Sequence, residues 1–134
     1  TKTEVNKVLS REALSELMKL VREVPVASHV KDYAVRLVLA THPKTDTAAP
    51  IANQYLRFGS SPRGAQTLIL AGKVRALAQG RFNVSFEDIQ SAALAALRHC
   101  LIPNFEAEAE GITTDHIIAQ ILRDVPVSAE AVNA

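Results

Sequence analysis

The apolar residues of this chain recur with a helical period, and the recurrences stop at prolines and glycines. From Ser10 the positions Leu14, Leu17, Met18 and Val21 repeat every three or four residues, which predicts a helix with an apolar stripe that ends before Pro25. A second stripe opens near Ser28, runs through Val30, Tyr33, Ala34, Leu37 and Val38, and stops before Pro43. A long connection follows, from Pro43 to Ser60. Its polar start, PKTDTAAP, predicts an exposed loop, and its apolar end, IANQYLRF, predicts a segment packed on the bundle. The third helix begins at Ser61 as N-cap with Pro62 in the first helical position, carries Leu68, Ile69, Leu70, Val74 and Leu77, and stops at Gly80.

The last two helices share a way of starting. In Val84-Ser85-Phe86-Glu87-Asp88-Ile89, Ser85 is a cap, Asp88 can reach back to it, and Val84 can staple onto Ile89. In Ile112-Thr113-Thr114-Asp115-His116-Ile117, Thr113 caps and Ile112 can staple onto Ile117. The helices continue through Ala92, Ala93, Ala96 and Leu97, and through Ile118, Ile121, Leu122 and Val125. The small alanines permit close helix packing. The expectation is an all-α bundle of about five helices over residues 1–126, with a frayed tail at 127–134. At most a tiny two-stranded ribbon accompanies it, between Phe82–Val84 and Gly111–Thr113.

Composition narrows the classes. At 134 residues, 48% hydrophobic and 22% charged, the chain is long enough for one domain with a real core. A net charge of +1 offers no global attraction to nucleic acid or an anionic membrane, so an anion site must be local. Basic residues are spread over all helices and aromatics are only 4%, which speaks against nucleic-acid binding. No run is apolar enough to cross a membrane, and TKTEVNKVLS has no apolar core behind its lysines. The single Cys100 excludes an internal disulfide and suits a reducing, cytoplasmic compartment.

Catalytic signatures are missing. There is no G-x-x-x-x-G-K-[ST], no G-x-G-x-x-G, no G-x-S-x-G and no H-E-x-x-H. His29, His42, His99 and His116 lack ligand spacing, so neither a metal site nor a catalytic residue is expected. His99 and Cys100 are adjacent, point about 100° apart on a helix and do not form a dyad; Cys100 is expected to be a small buried hydrophobe. The run Glu106-Ala107-Glu108-Ala109-Glu110 is expected to be a solvated loop, with one glutamate pairing with Arg98 or Arg81.

Arg63 is the odd residue. It falls in the first turn of the third helix, where a cation is disfavoured by about 0.3–1 kcal/mol. One reading is a surface arginine paired with a carboxylate elsewhere. The other is an electropositive spot, made by Arg63 and the helix start, that awaits an anion. On that reading Gly64 leaves room for close backbone approach.

GSSPRGAQTLILAGKVRALAQGRFNVSFEDI followed by LRHCLIPNFEAEAEGITTDHIIAQIL resembles the C-terminal helical lid of MoxR-type AAA+ ATPases, and VREVPVASHVKDYAVRLVLATHP fits the lid's opening half. The resemblance implies a separate α/β core carrying the P-loop and the Mg²⁺-binding acidic motif, with ATP and Mg²⁺ used by the full-length protein and neither held tightly by this segment. It implies that Arg63 is the sensor-2 arginine, with Ser61, Pro62 and Gly64 shaping the helix start, and that residues of the second helix such as Tyr33 line the adenine side. The implied partners are the core of the same or a neighbouring subunit, further copies in a homo-oligomeric ring, and a von Willebrand factor A domain protein. The implied role is chaperone-like assembly or activation of partners. This segment alone would not hydrolyse ATP, whereas its parent would. Cys100 stands where the family has arginine, and Ser60 where alanine is usual. The absence of a core and of an initial Met favours a segment of a longer protein. The alternative is a free-standing helical adaptor that binds a protein through its Pro43–Ser60 loop or its first helix pair.

Overall fold

The computed structural model describes residues 5–128, so the N-terminal residues 1–4 and most of the tail expected to fray lie outside the described residues. Seven helices and two very short strands follow one another. They are α1 (Arg11–Glu23), α2 (Ser28–Ala40), α3 (Pro50–Tyr55), β1 (Leu56–Phe58), α4 (Arg63–Ala78), α5 (Phe86–Leu97), β2 (Ile102–Pro103), α6 (Phe105–Glu110) and α7 (Thr114–Asp124). The all-α bundle is as expected, and the five stripes correspond to α1, α2, α4, α5 and α7. Two short helices are additional. α3 forms within the supposed long connection, opened by Pro50 at its first position. α6 forms from the acidic run, capped by Asn104, whose Oδ1 accepts the Ala107 N–H at 3.0 Å.

The helix starts follow local chemistry. Ser10 Oγ accepts the Ala13 N–H at 3.1 Å and Thr113 Oγ1 accepts the His116 N–H at 3.2 Å. Ser85 and Asp88 form the reciprocal capping box. Asp88 does more than cap. Its carboxylate is 1% exposed and takes a two-pronged bond from Arg81, at 2.9 and 2.7 Å, as well as the Ser85 N–H at 2.9 Å. The guanidinium beside it holds the Asp88 carboxyl below its ordinary 3.8, against the opposing pull of burial. Gly80, at φ 71°, makes the left-handed turn that ends α4 and brings Arg81 round to Asp88.

The core is built by α2, α4, α5 and α7. Tyr33, Leu37, Leu68, Ile89, Leu97, Ile117, Ile118 and Ile121 are its largest buried apolar side chains, with Val24 sealing the end of α1. Ala76 and Ala93 are wholly buried where α4 and α5 pack together. Tyr33 stands edge-on to Phe86 at 5.4 Å between centroids, and its hydroxyl accepts from Gln90 at 3.0 Å. Burial pushes the Tyr33 phenol up. Tyr33 is therefore a core residue, not one that lines a nucleotide. Arg36 lies 5.5 Å from the Tyr33 ring centroid and donates to the carbonyls of Pro126 and Val127, fastening these two residues to α2.

Several other expectations are corrected. The ribbon joins β1 to β2, antiparallel, instead of Phe82–Val84 to Gly111–Thr113. Val84 leads straight into the α5 cap, and Ile112 turns back to donate to Ala107 O at 2.8 Å, so neither stretch is free to pair. The glutamates of α6 do not meet arginine. Arg81 is taken by Asp88 and Arg98 by Asp115 at 2.8 Å, whereas Glu106 and Glu110 accept from Gln54 and Tyr55 of α3. Cys100 is only partly buried, and its thiol donates to Ala96 O. The α1 stripe is not in the core: no α1 residue is buried, and Leu14, Leu17 and Met18 are about half exposed.

Candidate functional site

The chain enters α4 through Ser60, Ser61 and Pro62, and this segment is fastened to the end of α2. Thr41, wholly buried, donates its hydroxyl to Val38 O at 2.6 Å and accepts the Ser60 N–H at 2.9 Å. The His42 ring donates through Nε2 to Ser60 O at 2.6 Å. Both main-chain polar groups of Ser60 are thereby satisfied inside the fold, as a buried residue requires. Sequence reasoning did not find Thr41, His42 or the structural weight of Ser60. The adjacent Thr-His just before a proline was the only available signal.

Of the residues predicted to shape the site, Pro62 is placed as expected. Its φ of −54° and ψ of −23° are helical, and its carbonyl accepts the Ala65 N–H at 3.1 Å. Ser61 differs. Its hydroxyl caps nothing, because the donor it would take, the Gly64 N–H, already goes to the Ser61 carbonyl at 2.8 Å. Gly64 also differs. It is buried, and a Cβ there would stand 2.2 Å from Ser60 Oγ and 3.0 Å from Leu97 Cδ2. Its missing side chain makes room for Ser60 and α5, not for a ligand.

Arg63 is exposed at the first turn of α4. Among the described residues its guanidinium enters no ion pair and no side-chain hydrogen bond; only its carbonyl is engaged, by Thr67 Oγ1 at 2.9 Å. No acidic residue occupies the first turn of α4. A positive side chain and the positive end of a sixteen-residue helix thus coincide on the surface. Beside them, between α2 and α4, lies an apolar cleft of about 310 Å³ bounded by Val35, Leu39, His42, Pro62, Ala65 and Ile69. Among the described residues no three histidines, cysteines or carboxylates gather as a metal site. No helix of the described residues is long and apolar enough to cross a membrane.

Residues 48–121 match the AAA lid domain family. Over 93% of its length the chain is 29% identical to the chaperone MoxR1 of Mycobacterium tuberculosis, of which it covers 33%. It is 32% identical, also over 93% of its length, to the uncharacterized protein YeaC of Bacillus subtilis, of which it covers 37%. The crystal structure of a candidate ATPase from Cytophaga hutchinsonii superimposes on 90% of the chain with a TM-score of 0.84 and 34% identity, and the match takes up 36% of that protein. The chain therefore spans about a third of the length of the proteins it resembles. The family match, over residues 48–121, takes in the ribbon and the whole of α4, where Arg63 stands. With the family match covering more than half of its residues, the chain belongs to the AAA lid domain family, as the helical lid of a MoxR-type AAA+ protein.

Proposed function

We propose that this domain is the nucleotide-responsive lid of an ATPase, and that Arg63 is its contact with the terminal phosphates of ATP. The observation that carries the reading is the exposed guanidinium of Arg63 at the start of α4, unpaired among the described residues. A cation at that position opposes the helix dipole unless a polyanion arrives from outside. The planar fork of arginine suits phosphate oxygens, and the firm seating of Ser60 gives the side chain a fixed base. The apolar cleft beside Pro62 is of a kind that takes the face of a nucleotide base, with the phosphates directed toward Arg63.

The P-loop, the Mg²⁺ and the hydrolytic groups belong, on this reading, to a core domain of the same or a neighbouring subunit. The lid itself supplies one charge and one wall. Subunits assemble into a homo-oligomeric ring, and lid movement linked to the nucleotide drives chaperone-like action on partner proteins, among them von Willebrand factor A domain proteins. The half-exposed apolar stripe of α1 supports a domain that works against other protein surface.

The test is Arg63→Ala in the full-length protein. ATP turnover should fall by on the order of tenfold or more, with trans-acting arginine fingers at 10³–10⁵ as the upper reference. The variant lid should melt as the wild type does, because the replaced side chain is exposed and makes no ion pair or hydrogen bond among the described residues. Wild-type turnover in that variant would end the assignment.

A further inference from the structure

We infer that the lid carries a second recognition site, unrelated to Arg63: a basic cavity at the ribbon that docks an extended, acidic and apolar segment of a partner protein. The cavity, about 520 Å³, lies between the α2–α3 connection and β1, and His42, Lys44, Asn53, Arg57, Phe58 and Asn104 are among its walls. None of the residues that line it is acidic. Lys44 and Arg57 are exposed, and neither meets a carboxylate in any ion pair of the described residues. The nearby acids are engaged elsewhere: Glu106 accepts from Gln54 and Glu110 from Tyr55, while Asp46 faces a different cavity with Arg36 and Asp124.

Several other polar groups of the walls already have partners within the fold. Asn53 Oδ1 accepts the Lys44 N–H at 2.7 Å, Asn104 bonds Gln54 O and the Ala107 N–H, Thr45 bonds His42 O, and the His42 ring bonds Ser60 O. The two cationic heads are left without an ionic partner among the described residues, and negatively charged acceptors would supply one. Lys44 is held with φ at 63°, an uncommon conformation for a non-glycine residue, and its N–H donates to Asn53 Oδ1 in that conformation.

The surroundings favour a polypeptide over a small anion. Phe58 and Ile102, partners across the ribbon, are 55% and 52% exposed, and Phe105, at the start of the next helix, is 83% exposed. A hydrated phosphate leaves that apolar surface uncovered, whereas a strand alternating carboxylate and apolar side chains covers both. The backbone is also suited. The register pairs Leu56 with Pro103 and Phe58 with Ile102, so Arg57 is the extra residue of a bulge and has no cross-strand partner. With only two strands in the sheet, β1 keeps an open edge for strand addition. The Arg57 guanidinium, 5.3 Å from the Phe58 ring centroid, presents charge and aromatic surface together.

The test titrates the isotope-labelled chain with a short acetylated peptide alternating Glu and Val, and follows backbone amide shifts. The Glu peptide should move the amides of Lys44, Arg57 and Phe58, and added salt should weaken it. The same peptide with Gln for Glu should bind about tenfold or more weaker, as should the Glu peptide to Arg57→Gln, the effect of one lost charge-assisted contact. Lys44→Asn keeps the left-handed backbone and should weaken binding in the same direction. Both positions are exposed, and unchanged melting verifies that the variants fold. Absence of shifts at these amides, equal binding of the Gln peptide, or unchanged affinity in Arg57→Gln would overturn the proposal. Inorganic phosphate moving the same amides at the same concentrations as the peptide would overturn it too, in favour of a small-anion site.

Discussion

Consider placing alanine at Gly64. In an open helix position this change stabilises by about 1 kcal/mol, because glycine is the poorer helix former. Here the new methyl group would stand 2.2 Å from Ser60 Oγ, far inside contact distance, and 3.0 Å from Leu97 Cδ2. Ser60 is wholly buried and its main chain is pinned by Thr41 and His42, so it cannot back away. Overpacking of this kind costs about 1–3 kcal/mol, enough to reverse the propensity gain. Ser60→Ala removes the nearest obstacle. By itself it loses only the 3.2 Å bond from Ser60 Oγ to the Ser61 carbonyl, a loss of about 1 kcal/mol or less. In the double variant the remaining close atoms, Leu97 Cδ2 at 3.0 Å and Ser60 Cβ at 3.3 Å, need yield only a few tenths of an ångström. The two changes should therefore couple favourably by about 1–2 kcal/mol, within the range found for residues in contact. Urea unfolding of the wild type, both single variants and the double variant, followed by far-UV circular dichroism, measures the cycle. If Gly64→Ala is as stable as the wild type, or costs the same with Ala at position 60 as with Ser, the steric account is wrong.

Two further outcomes follow from buried polar groups. Thr41→Val keeps the shape but strands the Ser60 N–H, and should cost about 1–3 kcal/mol in the same unfolding assay, with loss of amide-exchange protection at Ser60. The Asp88 carboxyl has its pKa lowered in the folded state by Arg81, so its contribution is complete above the ordinary value of 3.8 and is lost as the pH falls below that toward the folded value. Thermal melting from neutral pH down to pH 3 should show Asp88→Asn already destabilised at neutral pH and with a shallower acid decline than the wild type; parallel declines would refute this.

What could be read from the sequence is what short-range chemistry decides. Ser85 and Thr113 cap as their spacing predicts, because a cap involves only the next three residues. α3 and α6 escaped because six residues are too few to display a helical period, although Pro50 and Asn104 were legible starting signals. The ribbon escaped because its strands lie more than forty residues apart and the pairing is set by the packing of α3 and α6. The periodic stripe of α1 was legible and its burial was not, since periodicity identifies an amphipathic face without saying what covers it. At the site, Arg63 stood out by its conflict with the helix dipole. Thr41, His42 and Ser60 did not, because their bonds join residues some twenty apart. Gly64 was recognised as needing space, but the occupant of that space, Ser60, becomes visible only once the turn is folded.

The double fastening of Ser60 also decides how motion passes through this domain. Since Thr41 and His42 follow directly on the end of α2, a shift at the root of α4 would pull on α2, and through α2 on the aromatic pair Tyr33 and Phe86. On the proposed reading, a pull on the tip of Arg63 would therefore reach α2 through these two bonds.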